Sequence, residues 1–390
     1  MVSESQIAGK ISEDEATLYD RQIRLWGLEA QKRLKKTRLL VIGLQGLSGE
    51  AIKNIVLAGL ESVVLCDSEN ATEDDVKANF LIPTTCVGKN RAESSVQRTQ
   101  VLNPTVKVSS DTRPVSEINE QFIQKFTVVL ATNCALNDIT KLNELCRKHK
   151  IKFYSGHVWG KIGYYFVDLH RHYYVKEVKK TVTINKINDY FLEKSRQQQE
   201  VQYDGEKEVD ENLPNNHMNH NNHNNVNHVM MKQIKEEKVE YQQNTELFPT
   251  LKQALRVNFS SNPYAKQIRR KKLDPTFFAV MALLRFRTVF KRDPAQQSWK
   301  EDFGRLLRIR KEIMQVFQVN IDYFPKEYLF NVIGQFSPTC AITGGVLAQE
   351  IIHAIGGTEP PHKNFFLFNP IQCGGRVHYI GPAQKENNDS

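Results

Sequence analysis

The chain has 390 residues, 40% hydrophobic and 25% charged, with a formal net charge of +9. That composition supplies apolar material for a sizeable core and excludes wholesale disorder. No apolar run reaches the ~18 residues needed to span a bilayer, so no membrane association is expected.

The elements follow in chain order. The opening stretch MVSESQIAGKISEDE has no basic region followed by an apolar one, and no secretory signal is expected there. Ser12 and Glu15 form an S-x-x-E capping box that predicts a helix start, and Gly27 suits its stop. Residues 28–36 predict a second short helix. RLLVIGL (38–44) is a continuous apolar run, as expected of a buried parallel strand. A glycine-rich turn, GLQGLSG (43–49), leads into an apolar-faced helix at 50–59, and SVVLCD (62–67) predicts the next strand. This is a βαβ unit. Further helices are predicted at 89–102 and 136–149, with strands at 106–110, 126–131 and 151–156. GYYFVDLH (163–170) reads as an antiparallel addition. Alternation with short links predicts an α/β class, a Rossmann-like doubly wound mixed sheet.

The character changes after about residue 190. From Asn212 to His228, 13 of 17 residues are Asn or His, a composition that cannot build a core and predicts a disordered loop. The histidines at 217, 220 and 223 lack the carboxylates and helix formers that would fix a metal geometry, so no metal is expected. The six cysteines include no C-x-x-C pair, which argues against thiol–zinc and disulfide chemistry and for a reducing compartment. The net charge is local: Tyr264 to Lys311 holds 14 Lys/Arg against 4 Asp/Glu, while the rest balances at 39 against 40. A basic segment on a neutral body points to an import signal or a docking face for an acidic protein, with no nucleic acid as partner. A solvated helical face is the plainer alternative. Helices with a basic face are predicted over 275–330, a glycine-terminated helix over 337–357, and strands at 364–369 and 376–381.

A glycine-rich turn between the first strand and helix is where a Rossmann-like fold cradles phosphates on backbone N–H groups. Here the turn carries Gly43, Gln45, Gly46, Ser48 and Gly49. Gln45 stands where close approach wants no side chain, and Ser48 where tight helix–strand packing wants none. A turn that merely joins strand to helix explains it equally well.

YDRQIRLWG (19–27), the GLQGLSGE turn, NFLIPTTCVGKNRAE (79–93), LNP (102–104) and GGVLAQEIIHAI (344–355) together resemble the activating enzymes of ubiquitin-like modifiers, a ThiF/MoeB-like adenylation family. Within it they are similar to the small-subunit family of the SUMO-activating enzymes, over about 1–175 and 245–382. The resemblance implies a heterodimer. Its large catalytic subunit binds ATP and Mg, adenylates SUMO and takes it as a thioester in protein sumoylation. The small subunit is a regulatory pseudo-enzyme. It implies a pseudo-adenylation domain in two parts, 1–190 and 331–382. Between them lie a low-complexity insert (191–246) and a basic helical segment (247–330), with a tail at 383–390.

Active members of the family read D-x-D-x(5)-N-x-N-R-Q-F after the second strand. Asp67 and Glu69 remain here, but Asp75 and Lys77 replace the two Asn, and Ala78 replaces the Arg that would meet phosphate. Thr84 and Thr85 stand in place of a Lys pair, and the strand at 126–131 runs into Thr132-Asn133-Cys134 without the expected Asp. Nucleotidyl chemistry needs such positive groups and metal-holding acids, so no cofactor is expected in this chain. Cys340 is expected as buried packing, because cysteine is among the most buried residue types. The family's N-terminal Arg reaches across to the partner's nucleotide site, a role the resemblance carries to Arg21. Guanidinium suits it, being always charged and able to bind phosphate with two donors. The plain alternative pairs Arg21 with Asp20 or a Glu on a solvated helix. Arg24, Leu25 and Trp26 are expected in packing and dimer contact.

Two surface features complete the reading. Lys266, Arg269, Arg270, Lys271 and Lys272 cluster before Asp274-Pro275, a candidate import signal, with Arg269 to Lys272 at its centre and the nucleus as expected location. Ile234-Lys235-Glu236-Glu237 fits the apolar-Lys-x-Glu pattern of SUMO acceptor sites, which makes Lys235 a candidate, though so short a pattern recurs by chance. The alternatives are a small subunit for another ubiquitin-like modifier, which length disfavours, or a dinucleotide-dependent oxidoreductase, which Gln45 and Ser48 disfavour.

Overall fold

A computed structural model describes residues 13–185, 233–372 and 374–382. Ser12 and the Asn/His tract lie outside the described residues. The chain divides into two units, Met1–Val175 with Gln243–Ser390, and Lys176–Gln242.

The larger unit is built on an eight-stranded sheet. Its parallel half comprises β1 (Arg38–Ile42), β2 (Ser62–Cys66), β3 (Lys107–Asp111), β4 (Val128–Thr132) and β5 (Lys152–Trp159). β6 (Ile162–Asp168), β9 (Phe365–Asn369) and β10 (Gly374–His378) continue it antiparallel, in the order β10-β9-β6-β5-β4-β1-β2-β3. β1 pairs in parallel with both β2 and β4, so strand order reverses direction beside β1. Leu39 to Ile42 are all buried, as both faces of the sheet are covered. The doubly wound mixed sheet expected from the alternation is therefore present.

Before β1 come α1 (Glu13–Leu18), α2 (Asp20–Trp26) and α3 (Leu28–Lys35). The single helix expected up to Gly27 is two, parted at Tyr19. That side chain turns inward, where its hydroxyl meets Thr105 Oγ1 at 3.1 Å and accepts from Asn103 Nδ2 at 2.9 Å. α4 (Gly46–Leu57) follows β1, and α5 (Glu73–Ala78) and α6 (Arg91–Leu102) follow β2. The short α7 (Glu120–Ile123) leads to β4, and α8 (Leu136–Lys148) follows it.

Two apolar clusters fill the two faces of the sheet. Leu47, Ile52 and Ile55 of α4 belong to one, with residues from the late helix α13 (Ser337–Gly356), including Leu347 and Ile351. The other gathers Ile139 and Leu142 of α8 with α11 (Thr276–Phe290) and α12 (Trp299–Val316). α9 (Leu251–Leu255) and α10 (Tyr264–Arg269) precede them.

Two expectations change. Residues 233–246, expected within the low-complexity insert, lie in a strand, β8 (Gln233–Leu247), which pairs with β7 (Arg171–Asn185) as a two-stranded ribbon. Its partner lies far away in sequence, and KQIKEEKVE has no alternation of apolar residues to announce a strand. The basic helical segment is also more buried than its charge implies. α11 is buried almost throughout, and three cations around α12 meet partners within the protein: Arg292 on Asp302, Arg305 on Asp302 and Glu301, and Arg310 on the carbonyls of Ile321 and Phe324. The last strand is short, ending at His378.

Candidate functional site

The site lies beyond the carboxyl ends of β1 and β4, the crevice where open α/β sheets bind ligands. Gly43 follows β1 with φ +85°, and a Cβ there would lie 2.2 Å from the Thr132 carbonyl oxygen. Only glycine lets β1 and β4 approach this closely. The next residues form the turn. The Leu44 N–H donates to Asp67 Oδ2 at 2.7 Å, and the Ser48 hydroxyl donates to the Gln45 carbonyl at 2.9 Å.

In a phosphate cradle the first N–H groups of α4 face the ligand. Here the Gly46 N–H donates to Gln335 Oε1 at 2.6 Å, and Gln335 Nε2 donates to Gln45 Oε1 at 2.8 Å. Gln335 sits just before α13 and caps α4 from outside. The other two turn glycines serve packing. A Cβ on Gly46 would lie 2.8 Å from Cys340 Sγ and 2.9 Å from the Ala78 carbonyl, and one on Gly49 would lie 2.2 Å from Asn79 Oδ1. Protein atoms therefore press closely on the turn at both glycines. Cys340 is fully buried there, and burial pushes its thiol up to about 12.

The acids at the end of β2 are equally committed. Arg91, at the start of α6, is 4% exposed. Its Nε donates to Asp75 Oδ2 at 2.9 Å, and one terminal nitrogen lies 2.9 Å from Glu69 and 3.5 Å from Asp67. Asp75 also closes the capping box of α5 with Thr72. Burial works against the Arg91 charge, but Asp67 and Asp75 outweigh it and hold its pKa above the usual arginine range. Burial raises Asp67 against the pull of Arg91. Asp67, Glu69 and Asp75 thus neutralise an internal cation. Neither Arg91 nor Gln335 was singled out from the sequence. Arg91 stood in view inside GKNRAE, beside Asn90, which caps α6.

What remains open is a pocket of about 180 Å³ lined by Gly43, Asp67, Glu69, Thr132, Asp138 and Arg287, among others. Ligand pockets start at roughly 300 Å³. Arg287 is held by Asp293 at 2.6 Å and by the Asn133 carbonyl at 2.8 Å. Asp138, on α8, brings an acid to the pocket from a position the strand-end motif did not mark. Burial pushes the thiols of Cys66 and Cys134, also on its wall, up to about 12, far from a nucleophilic thiolate.

Arg21 is exposed on α2. Its neighbour Asp20 pairs with Arg24 at 3.0 Å, so the simple pairing with Arg21 is not made. No hydrogen bond or ion pair engages Arg21 among the described residues. Leu25 is 78% exposed, and the Trp26 indole N–H donates to Gln31 Oε1 at 2.9 Å. Leu25 and Trp26 line a groove with Ile342, Val346 and Ile352 of α13. Arg269, Arg270, Lys271 and Lys272 are exposed at the end of α10, far along the chain from the switch point. Lys235 lies on β8, in the other unit.

The ThiF family matches residues 19–389. The chain belongs to the ThiF family. It is similar to SUMO-activating enzyme subunit 1 of Homo sapiens, at 36% identity, covering 98% of this chain and 100% of that protein. The Mus musculus protein of that name is 37% identical, with 94% of each chain covered. A crystal structure of selenomethionine PaaA matches with a TM-score of 0.50 at 12% identity, covering 97% of this chain and 87% of that one, a likeness of fold alone.

Within this ThiF-family site, loss of Arg91 is expected to be costly. Arg91→Met leaves Asp67 and Asp75 buried without a counter-charge, and removal of one partner from such a group costs about 3–5 kcal/mol. Urea unfolding of the purified variant checks this. A loss below about 1 kcal/mol would mean that the carboxylates do not depend on Arg91.

Proposed function

We propose that this chain is the non-catalytic subunit of a heterodimeric SUMO-activating enzyme. The larger partner subunit binds ATP and Mg, adenylates SUMO and carries it as a thioester. This chain docks beside that site, completes it and helps to hold SUMO. The similarity to SUMO-activating enzyme subunit 1 of Homo sapiens and of Mus musculus supports the pathway. The observation that carries the non-catalytic reading is the Gly46 N–H bonded to Gln335, where a nucleotide's phosphates would need that donor. The same closed turn counts against a dinucleotide-dependent oxidoreductase, whose pyrophosphate needs the same N–H groups.

The docking face favoured is the exposed apolar surface of α2 and α13. Leu25 is 78% and Ile342 46% exposed, and both line one groove. Aromatic and aliphatic residues exposed together in this way suit an interface core. Arg21 stands on the same short helix, exposed and without a partner among the described residues, ready to reach phosphate oxygens on a neighbouring subunit.

Arg21→Ala is expected to leave dimer assembly intact and to slow adenylate formation by the pair. Loss of one charged donor to phosphate costs about 1.5–3 kcal/mol, which is roughly ten- to a hundredfold. Pyrophosphate exchange by the purified mutant dimer measures it, and an unchanged rate would return Arg21 to the solvated helix.

We also assign the protein to the nucleus, with Arg269, Arg270, Lys271 and Lys272 as the import signal; all four are exposed and without described partners. Alanine replacement of these four should move the protein to the cytoplasm in cells lacking the large subunit. An undiminished nuclear signal in those cells would count against the assignment.

A further inference from the structure

We propose that the groove between α10 and β10 is a docking site for an acidic segment of a partner protein, taken in extended form along the open edge of the sheet. β10 is the outermost strand. It pairs with β9 on one side and meets no strand on the other among the described residues. Such an edge offers its backbone N–H and C=O groups to a further strand.

The charge of the groove defines what that strand carries. Lys266, Arg270 and Lys272 line it from the α10 side, facing Val377, His378 and Tyr379, around a volume of about 690 Å³. None of the three cations makes a hydrogen bond or ion pair among the described residues. Arg292, Arg305 and Arg310 of the same basic segment are all held by internal acceptors. Lys266, Arg270 and Lys272 are the cations of that segment that line this groove, with no side-chain partner among the described residues. Val377 is 41% exposed and gives the groove an apolar floor. His378 Nε2 is buried without a partner, a polar atom that the protein itself leaves unmatched.

The walls are fixed in place. The Tyr264 hydroxyl donates to the Gly381 carbonyl at 2.7 Å and accepts from the Gly381 N–H at 2.8 Å, tying α10 to the chain just past β10. A preformed groove lowers the ordering cost of binding. A protein segment fits it better than nucleic acid. Outside residues 264–311 the chain carries 39 basic and 40 acidic residues, so no broad positive field surrounds the groove. An apolar floor and a free strand edge also read a peptide rather than a phosphate backbone.

Fluorescence anisotropy of a short labelled peptide of alternating Glu and Val, titrated with the full chain, tests the proposal. The Lys266→Glu/Arg270→Glu variant should bind at least about tenfold more weakly, each lost contact being worth up to ~1 kcal/mol with repulsion added. Lys89→Glu/Lys107→Glu makes the same charge change, with Lys107 on β3 at the opposite edge of the sheet, and should bind like the wild type. A Glu-Val peptide methylated at every backbone nitrogen, which lacks the N–H groups for strand pairing, should bind the unmodified protein at least about tenfold more weakly than the unmethylated peptide. Equal binding by the groove variant, or no binding of the Glu-Val peptide at low salt, would mean that the cations only guard the edge against pairing and would overturn the proposal. So would tighter binding of labelled oligothymidylate than of peptide, in favour of nucleic acid.

Discussion

The Gly46 N–H donates to Gln335 Oε1, and the character of the whole site depends on that bond. The N-terminus of a helix at the switch point of an α/β sheet is an anion site by default, because its first N–H groups have no partner inside the helix. Here the default is cancelled by one side chain arriving from the loop before α13. Gln335 then engages Gln45, so the turn residue that looked obstructive in the sequence is part of the cap. The turn keeps its glycines because α5, α13 and β4 press against it, each at a distance where a Cβ would collide. Packing alone therefore requires glycine at these positions.

Charge follows the same logic. Carboxylates that converge in a partly buried crevice repel one another, and a cation among them offsets that repulsion. Arg91 supplies the cation from within, at 2.9 Å from Glu69 and from Asp75. Buried charges are tolerated when paired and hydrogen-bonded, and Asp75 meets both demands through Arg91 and Thr72. These acids thus take part in the fold's own stabilisation. Among the described residues, Arg21 on α2 and Lys266, Arg270 and Lys272 beside β10 have no side-chain partner and are exposed.

Much of this was legible in the sequence. RLLVI and SVVLC read as buried parallel strands because both faces of the sheet are covered, and the helix after the turn declared itself by its apolar face. Asp75, Lys77, Ala78, Thr84 and Thr85 depart from the pattern of active family members, which made the absence of a nucleotide an expectation. The residues that replaced it were not legible. Gln335 acts from 290 positions away, and Arg91 joins acids 16 and 22 positions before it through the packing of two helices. Neither spacing has a local period that a sequence could reveal. The β7–β8 ribbon escaped for a related reason, since its strands pair across a long intervening segment without alternating apolar residues. The basic run misled in part, because net charge along a segment does not say which cations meet an internal acid.

The central claim is that this ThiF-family chain has closed its own nucleotide site. Isothermal titration calorimetry of the purified full chain with ATP and Mg tests it most directly. With Gly46 capped and Asp67, Glu69 and Asp75 held by Arg91, the account predicts no appreciable heat of binding. Saturable binding in the micromolar range to the chain alone, about 8 kcal/mol of affinity that the closed turn should not provide, would contradict it.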